Sequence, residues 1–394
     1  MMTKLRKASK MRVGILFGIL LAFGVSTVFY GQTGFAQSSS LKDYKFGMIL
    51  ALTGAGAWYG VTMGRGAELA MEEINGAGGA SGYKLISVIE DHRSGDTSAG
   101  QASVRKLIDI DKTGFIAGSY GSVCTSIQPI CAESHILLIN GGGTAPSLLN
   151  KPYLYNTRAL GNTCAIGVLK YLWDKKGSRK LATIYYNQES GVTINQAAVK
   201  EWKSWGGTVV KETMVATGQT SFTGEISQIK AAGPDCIGIW SYGTDVGYTV
   251  KDIKRTGITA PVCGVEFTPD ALAIAGKSFE GFLIGLDFFD PKLSNPMTEK
   301  FVKHFYAKYG ADAKLDYYCA NYYDITYLLR DLISRVAAKG GNPFDGAQLL
   351  AALQQNPRFD TVYGGKMELN KDGSVNKPIS IFEVKEGKQV RISQ

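Results

Sequence analysis

KFGMILALTGAGAWYGVTMGRGAELAMEEINGAGG, residues 45–79, is the stretch that decides the fold. Its first eight residues are an apolar run bounded by Gly54 and Gly56, which reads as a buried strand. Residues 59–75 then place apolar or small side chains at Met63, Ala67, Ala70, Met71 and Ile74, a helical spacing, and the glycine-rich 76–79 ends that helix. YKLISVIED (83–91) returns to strand character. A strand, a helix and a second strand of this kind make a βαβ unit.

The same alternation runs outward from there. A helix at 97–111, the strand TGFIAG (113–118), a helix at 122–134 and the strand ILLI (136–139) complete a first series. YLYNTRAL (153–160) is extended and carries no helix signal. A second series follows: helix 161–176, KLATIYY (180–186), helix 191–205, GTVVKETMV (207–215), helix 221–232, DCIGIW (235–240), helix 244–256, PVCGV (261–265) and FLIGL (282–286). Two long helical stretches (295–309 and 320–338) and a shorter one (345–355) come last, before KMELNKDGSVNKPISIFEV, whose KDGS turn between alternating strands predicts a hairpin. The expectation is an α/β protein of two wound, parallel-sheet lobes with a cleft between them.

With 394 residues, 45% of them hydrophobic, the chain has the composition of an ordinary globular protein of about two domains. Disordered, collagen-like and polytopic membrane classes are excluded, and three histidines argue against a histidine-rich metal site. Residues 1–12 are basic, 13–30 form an uncharged apolar run, and Gly34 and Ala36 stand where a cleavage site needs small residues. That order predicts a secretory signal peptide cleaved after Ala36, hence a periplasmic protein; the alternative is a retained anchor. Five of the 43 basic residues lie in this segment, so the remainder carries 38 against 34 acids. An excess of +4 does not point to nucleic acid. The six cysteines, Cys124, Cys131, Cys164, Cys236, Cys263 and Cys319, contain no C-x-x-C pair. They allow 15 complete disulfide pairings, and apolar flanks such as those of Cys236 read instead as small buried thiols.

Two segments carry the candidate chemistry. GSYGSVCTS (118–126) and INGGGTAPS (139–147) each follow an apolar strand, at the carboxyl end where open α/β sheets bind ligands. Ser122 is placed to cap the helix it opens, whose first amides would face an anion. Gly141, Gly142 and Gly143 allow close backbone approach, and Thr144 adds a hydroxyl. Hydroxyls and amides without a nearby Lys or Arg suit a carboxylate. Glu266, after PVCGV, is placed to receive an ammonium, and Tyr242, after DCIGIW, to wall an apolar ligand. G-A-G-A-W-Y-G (54–60) has the wrong spacing for a dinucleotide fingerprint and reads as a strand-to-helix turn with Trp58 and Tyr59 at the cleft. No nucleophile elbow, zincin motif or P-loop is present, so neither catalysis nor a cofactor is expected.

GMILALTGAGAWYG, AMEEINGAGG, GSYGSVCTSIQPICAES, ILLINGGGTAPSL and the Glu266 segment, in this order, resemble the leucine/isoleucine/valine-binding proteins, the periplasmic receptors of branched-chain amino-acid ABC transporters. The resemblance spans about 43–390, including FDTVYGGKMELNKDG. It implies the type I periplasmic binding protein fold: two Rossmann-like lobes (41–157 with 287–360, and 158–286 with 361–394) joined by three crossovers. It implies that Ser122, Gly142 and Thr144 hold an amino-acid carboxylate and help with its ammonium. Glu266 would bind the ammonium, and Tyr59, Tyr242 and Tyr318 would wall the side chain. Where the family often has Tyr-Gly, this chain has Ser190-Gly191, so a cleft aromatic is missing there, and the 141–143 glycines widen the first lobe's side. The implied function is delivery of a branched-chain or other hydrophobic amino acid to a membrane permease. The alternatives are a receptor for aromatic or other small carboxylates or amides, and a sensor for a membrane signalling protein.

Overall fold

A computed structural model describes residues 41–287, 289–377 and 379–393. The signal segment expected at 1–36 lies outside the described residues. The first series is β1 (Lys42–Leu50), α1 (Ala57–Gly76), β2 (Tyr83–Asp91), α2 (Thr97–Asp109), β3 (Phe115–Gly118), α3 (Gly121–Glu133), β4 (Leu137–Asn140) and β5 (Leu154–Asn156). The second is α4 (Gly161–Tyr171), β6 (Lys180–Tyr186), α5 (Glu189–Ser204), β7 (Thr208–Val215), α6 (Thr223–Ala231), β8 (Cys236–Trp240), α7 (Thr244–Arg255), β9 (Val262–Gly264), α8 (Pro269–Ala275) and β10 (Leu283–Asp287). The last part holds α9 (Pro296–Tyr309), α10 (Tyr317–Ala337), α11 (Gly346–Gln355), β11 (Arg358–Asp360), β12 (Lys366–Glu368), β13 (Ile379–Lys385) and β14 (Lys388–Ser393). One turn of π-helix, Leu172–Lys176, prolongs α4 to the expected end. Helix α8, capped by Thr268 with Pro269 in its first turn, was not expected from the sequence.

The strands form two main sheets. One is all parallel, in the order β2-β1-β3-β4-β5. The other runs β14-β13-β10-β9-β8-β6-β7, parallel from β10 to β7 and antiparallel at β13 and β14. Successive side chains of a strand point to opposite faces, and in these strands both faces are covered. Phe46, Met48 and Leu50 of β1 join one core cluster and Ile49 the other, as do Phe115 and Ala117 against Ile116 in β3. That double burial is why the strands read as continuous apolar runs rather than alternating ones. Helices α1, α9 and α10 pack together on the first sheet. The α1–α10 contact is close because position 66 is glycine: a Cβ there would lie 2.0 Å from the Cys319 carbonyl oxygen.

The carboxyl-terminal hairpin differs from expectation. The chain does turn at 370–374, but only one bridge, Leu369 to Val375, flanks that turn. β12 pairs instead with β11, while β13 crosses to the second sheet and pairs with β14 through a turn at Glu386-Gly387. Thr361 and Val362 are hydrogen bonded to Asp324 of α10. β11 and β12 thus pair only with each other, while β13 and β14 extend the second sheet. All six cysteines are buried and free.

Candidate ligand-binding site

The carboxyl ends of the two sheets face one another, and a cavity with about 510 Å³ of empty space, partly open to solvent, lies between them. From the first sheet it is lined by Tyr59 and Met63 of α1, Tyr120 to Ser122 at the start of α3, and Gly142 to Thr144 after β4. From the second come Tyr186, Gln188 to Ser190 and Tyr242, and Tyr318 enters from the start of α10.

Local chemistry shapes the first wall. Helix α3 begins at Gly121, and the residue before it, Tyr120, has φ 62° and no capping side chain. Ser122 is thus the second residue of α3 and not its cap. The first amides of a helix find no carbonyl within it, and no acidic residue occupies the first turn of α3. This end of α3 therefore presents N–H groups, the positive end of a helix dipole and the Ser122 hydroxyl to the cavity. A Cβ on Gly143 would lie 2.6 Å from the Gly121 nitrogen, so glycine is what lets the loop after β4 lie against α3. Asn140 holds that loop, accepting from the Gly143 amide at 2.7 Å and donating to the Gly143 carbonyl at 2.7 Å.

The two walls are bonded to each other. The Thr144 and Tyr242 hydroxyls are 2.6 Å apart. The Gly243 amide donates to the Tyr59 hydroxyl at 3.0 Å, and that hydroxyl donates to Glu266 Oε2 at 3.3 Å. Burial raises the pKa of Tyr59, Tyr242 and Tyr318, so all three hydroxyls stay protonated and able to donate.

Tyr59, Ser122, Gly142, Thr144, Tyr242 and Tyr318 all line the cavity, whereas Glu266 is not among its lining residues. It is 0% exposed. Its Oε1 accepts from the Tyr317 hydroxyl at 2.9 Å and the Phe267 amide at 3.0 Å, and its Oε2 from the Tyr318 hydroxyl at 2.9 Å as well as from Tyr59. Burial pushes the Glu266 carboxyl up, while Arg158, Tyr318, Tyr317 and the Phe267 amide oppose the rise.

Arg158 is the residue that sequence reasoning missed most. It is 1% exposed, its Nε lies 3.3 Å from Asp287 Oδ1, and its Nη1 donates to the Tyr318 hydroxyl at 2.8 Å and the Gly142 carbonyl at 3.4 Å. Its guanidinium also lies over the rings of Tyr317 and Tyr318, 4.7 and 4.6 Å from their centroids. Burial works against its charge, but Tyr318, Tyr317, Asp287 and Glu266 outweigh burial and hold its pKa above the usual value. The signal for it was an arginine inside the extended stretch 153–160. Tyr186 was missed too. Its hydroxyl bonds to Ser190, so an aromatic from the end of β6 stands beside the serine where the sequence predicts none.

A family model described as "Periplasmic binding protein" matches residues 43–389. The chain is 28% identical over 360 residues to a Leu/Ile/Val-binding protein homolog of Brucella suis, covering 89% of each. It is 29% identical over 262 residues to a leucine-, isoleucine-, valine-, threonine- and alanine-binding protein of Pseudomonas aeruginosa, covering 64% of this chain and 69% of that one. Among solved structures it is similar to a leucine binding protein from Thermotoga maritima, with TM-score 0.81 and 21% identity over 89% of this chain and 98% of that one. It is also similar to a solute binding protein from R. palustris in complex with benzoate, with TM-score 0.78 and 22% identity over 89% and 96%.

Proposed function

Because this chain belongs to the periplasmic binding protein family, in its leucine/isoleucine/valine-binding branch, we propose that it is the periplasmic receptor of an ABC importer for a small hydrophobic molecule bearing a carboxylate. The family is one of substrate-binding transport proteins, not enzymes. The observation that carries the reading is the amino end of α3, opening with Ser122 and Thr144 into a cavity whose other walls are five tyrosines and Met63, with Gln188, Glu189 and Ser190 around the start of α5. Amides, hydroxyls and a helix dipole suit a carboxylate, and the aromatic rings suit an apolar body.

The ligand docks on Ser122, Thr144 and the α3 amides, and closure of the second lobe brings Tyr242 and Tyr186 over it. Binding favours the closed form because only that form contacts the ligand from both sides. The closed shape is what the permease reads, and delivery is the reopening of the same hinge. Candidate cargo comprises branched-chain and other hydrophobic amino acids and simple aromatic acids.

A thermal-shift screen of the protein recovered from the periplasm, against leucine, isoleucine, valine, benzoate and 4-methylpentanoate, tests the reading. At a hundredfold excess over Kd a true ligand adds about 2.7 kcal/mol of stability. Ser122→Ala and Thr144→Ala should each weaken binding of that ligand about tenfold, the usual worth of a hydrogen bond to a charged group. A screen in which no carboxylate raises the melting temperature would remove the proposal.

A further inference from the structure

We infer that Glu266 is a positioning residue rather than a ligand for an ammonium, and that the cavity takes hydrophobic carboxylates lacking an ammonium group. The inference rests on the reading of this cavity as the ligand site and narrows its cargo.

An ionised carboxylate has about four acceptor positions, two on each oxygen. In Glu266 all four are taken by this chain's own donors: Tyr317 and the Phe267 amide on Oε1, Tyr59 and Tyr318 on Oε2. Its charge is answered as well. Arg158 donates to the Tyr318 hydroxyl and lies over the Tyr317 and Tyr318 rings, so a buried cation stands behind the tyrosines that bond the carboxylate. A ligand ammonium would have to displace a tyrosine hydroxyl and approach a carboxylate whose charge a fixed guanidinium already offsets from behind the tyrosines. An ammonium left unmatched in a closed cavity carries a heavy desolvation penalty.

The arrangement gives Glu266 another task. Tyr59 belongs to α1 on the first sheet and Tyr318 to α10, while Glu266 follows β9 of the second sheet. By accepting from both, the carboxylate fixes the two rings as cavity walls and ties the lobes together. The acid that does line the cavity is Glu189, half-buried at the first residue of α5, where a helix amino end already favours negative charge. Near the α3 end the cavity offers donors and hydroxyls, which matches an anion with an apolar body.

The test is a matched pair, L-leucine and 4-methylpentanoate, which differ only by the ammonium, with benzoate as an aromatic probe. Calorimetric titration should show leucine at least about tenfold weaker than 4-methylpentanoate, the scale of a lost charged hydrogen bond. A smaller gap, or tighter binding of leucine, overturns the inference and leaves the importer reading standing. Failure of all three probes overturns both.

Glu266→Gln keeps the side chain's size and separates the two roles for that residue. As a positioning residue its loss weakens both members of the pair alike and leaves their affinity ratio within about threefold. Loss confined to leucine, by more than that, makes Glu266 an ammonium ligand and overturns the inference. Tyr318→Phe, which removes one donor while keeping the wall, supplies the same ratio should the glutamine variant fold poorly.

Discussion

The hydroxyls of Thr144 and Tyr242 lie 2.6 Å apart, and each belongs to a different lobe. Thr144 leaves the first sheet after β4 and Tyr242 leaves the second after β8, so their bond closes the cleft directly over the cavity. Tyr242→Phe keeps the ring and removes the bond, which is worth about 0.5–1.5 kcal/mol. Ligand affinity should fall about two- to tenfold with little change in melting temperature, as read by calorimetric titration. Unchanged affinity would mean that the bridge adds nothing to closure.

Arg158 and Asp287 form an ion pair at 1% and 0% side-chain exposure. Removing one partner of such a pair leaves the other charged and dry, at a cost of about 3–5 kcal/mol. Arg158→Met should lower the urea midpoint accordingly. Combining it with Asp287→Leu should recover part of the loss, because the pair itself is worth far less than either orphan costs. If the single variant unfolds like the unmodified protein, the pair is not holding the fold together.

His92 sets up a dependence on pH. It is 0% exposed, its Nε2 is 2.8 Å from the Ser119 hydroxyl, and its Nδ1 accepts from the Gly95 amide at 3.0 Å. Burial is the main reason its pKa drops to about 4. Between about 6.5 and 4 the unfolded chain binds the proton and the folded chain does not, so this histidine's stability contribution is lost as pH falls. Asp316 and Asp324 act oppositely. Burial raises each to about 6, so the folded chain binds more protons and stability falls as pH rises from about 4 through 6. His92→Gln should therefore remove the histidine's contribution, changing the slope by up to about 1.4 kcal/mol per pH unit in urea titrations between pH 4 and 6.5. An unaltered slope would place the titration elsewhere.

Thiol accessibility gives a fourth check. All six cysteines are buried and unpaired, and burial raises the Cys131 and Cys164 thiols to about 12. The native protein should be inert to a thiol reagent, and all six should react in denaturant. The melting temperature should be the same with and without reductant. A lower one in reductant would reveal a disulfide.

Much of the architecture was legible because each strand and helix carries its own signal. The run 83–91 is a strand with those bounds, and the helix read at 59–75 extends by only a few residues. The hairpin at the carboxyl end was misread for a physical reason. The KDGS turn forms, but where a strand goes after a turn depends on which sheet has an open edge. Here β13 adds to β10 of the second sheet, nearly a hundred residues earlier in the chain.

What the sequence by itself determined is local: which segments bury both faces, where glycine must follow a strand, and that hydroxyls and helix amides meet at the ends of β3 and β4. What only the tertiary structure decided is how Glu266 is spent. Its partners Tyr59, Tyr317 and Tyr318 stand 207, 51 and 52 positions away, and Arg158, from yet another segment, donates to the Tyr318 hydroxyl. A carboxylate at a strand end looks the same in one dimension whether its acceptor sites are open or filled. Hydrogen-bond saturation is set by donors that only folding brings within about 3 Å.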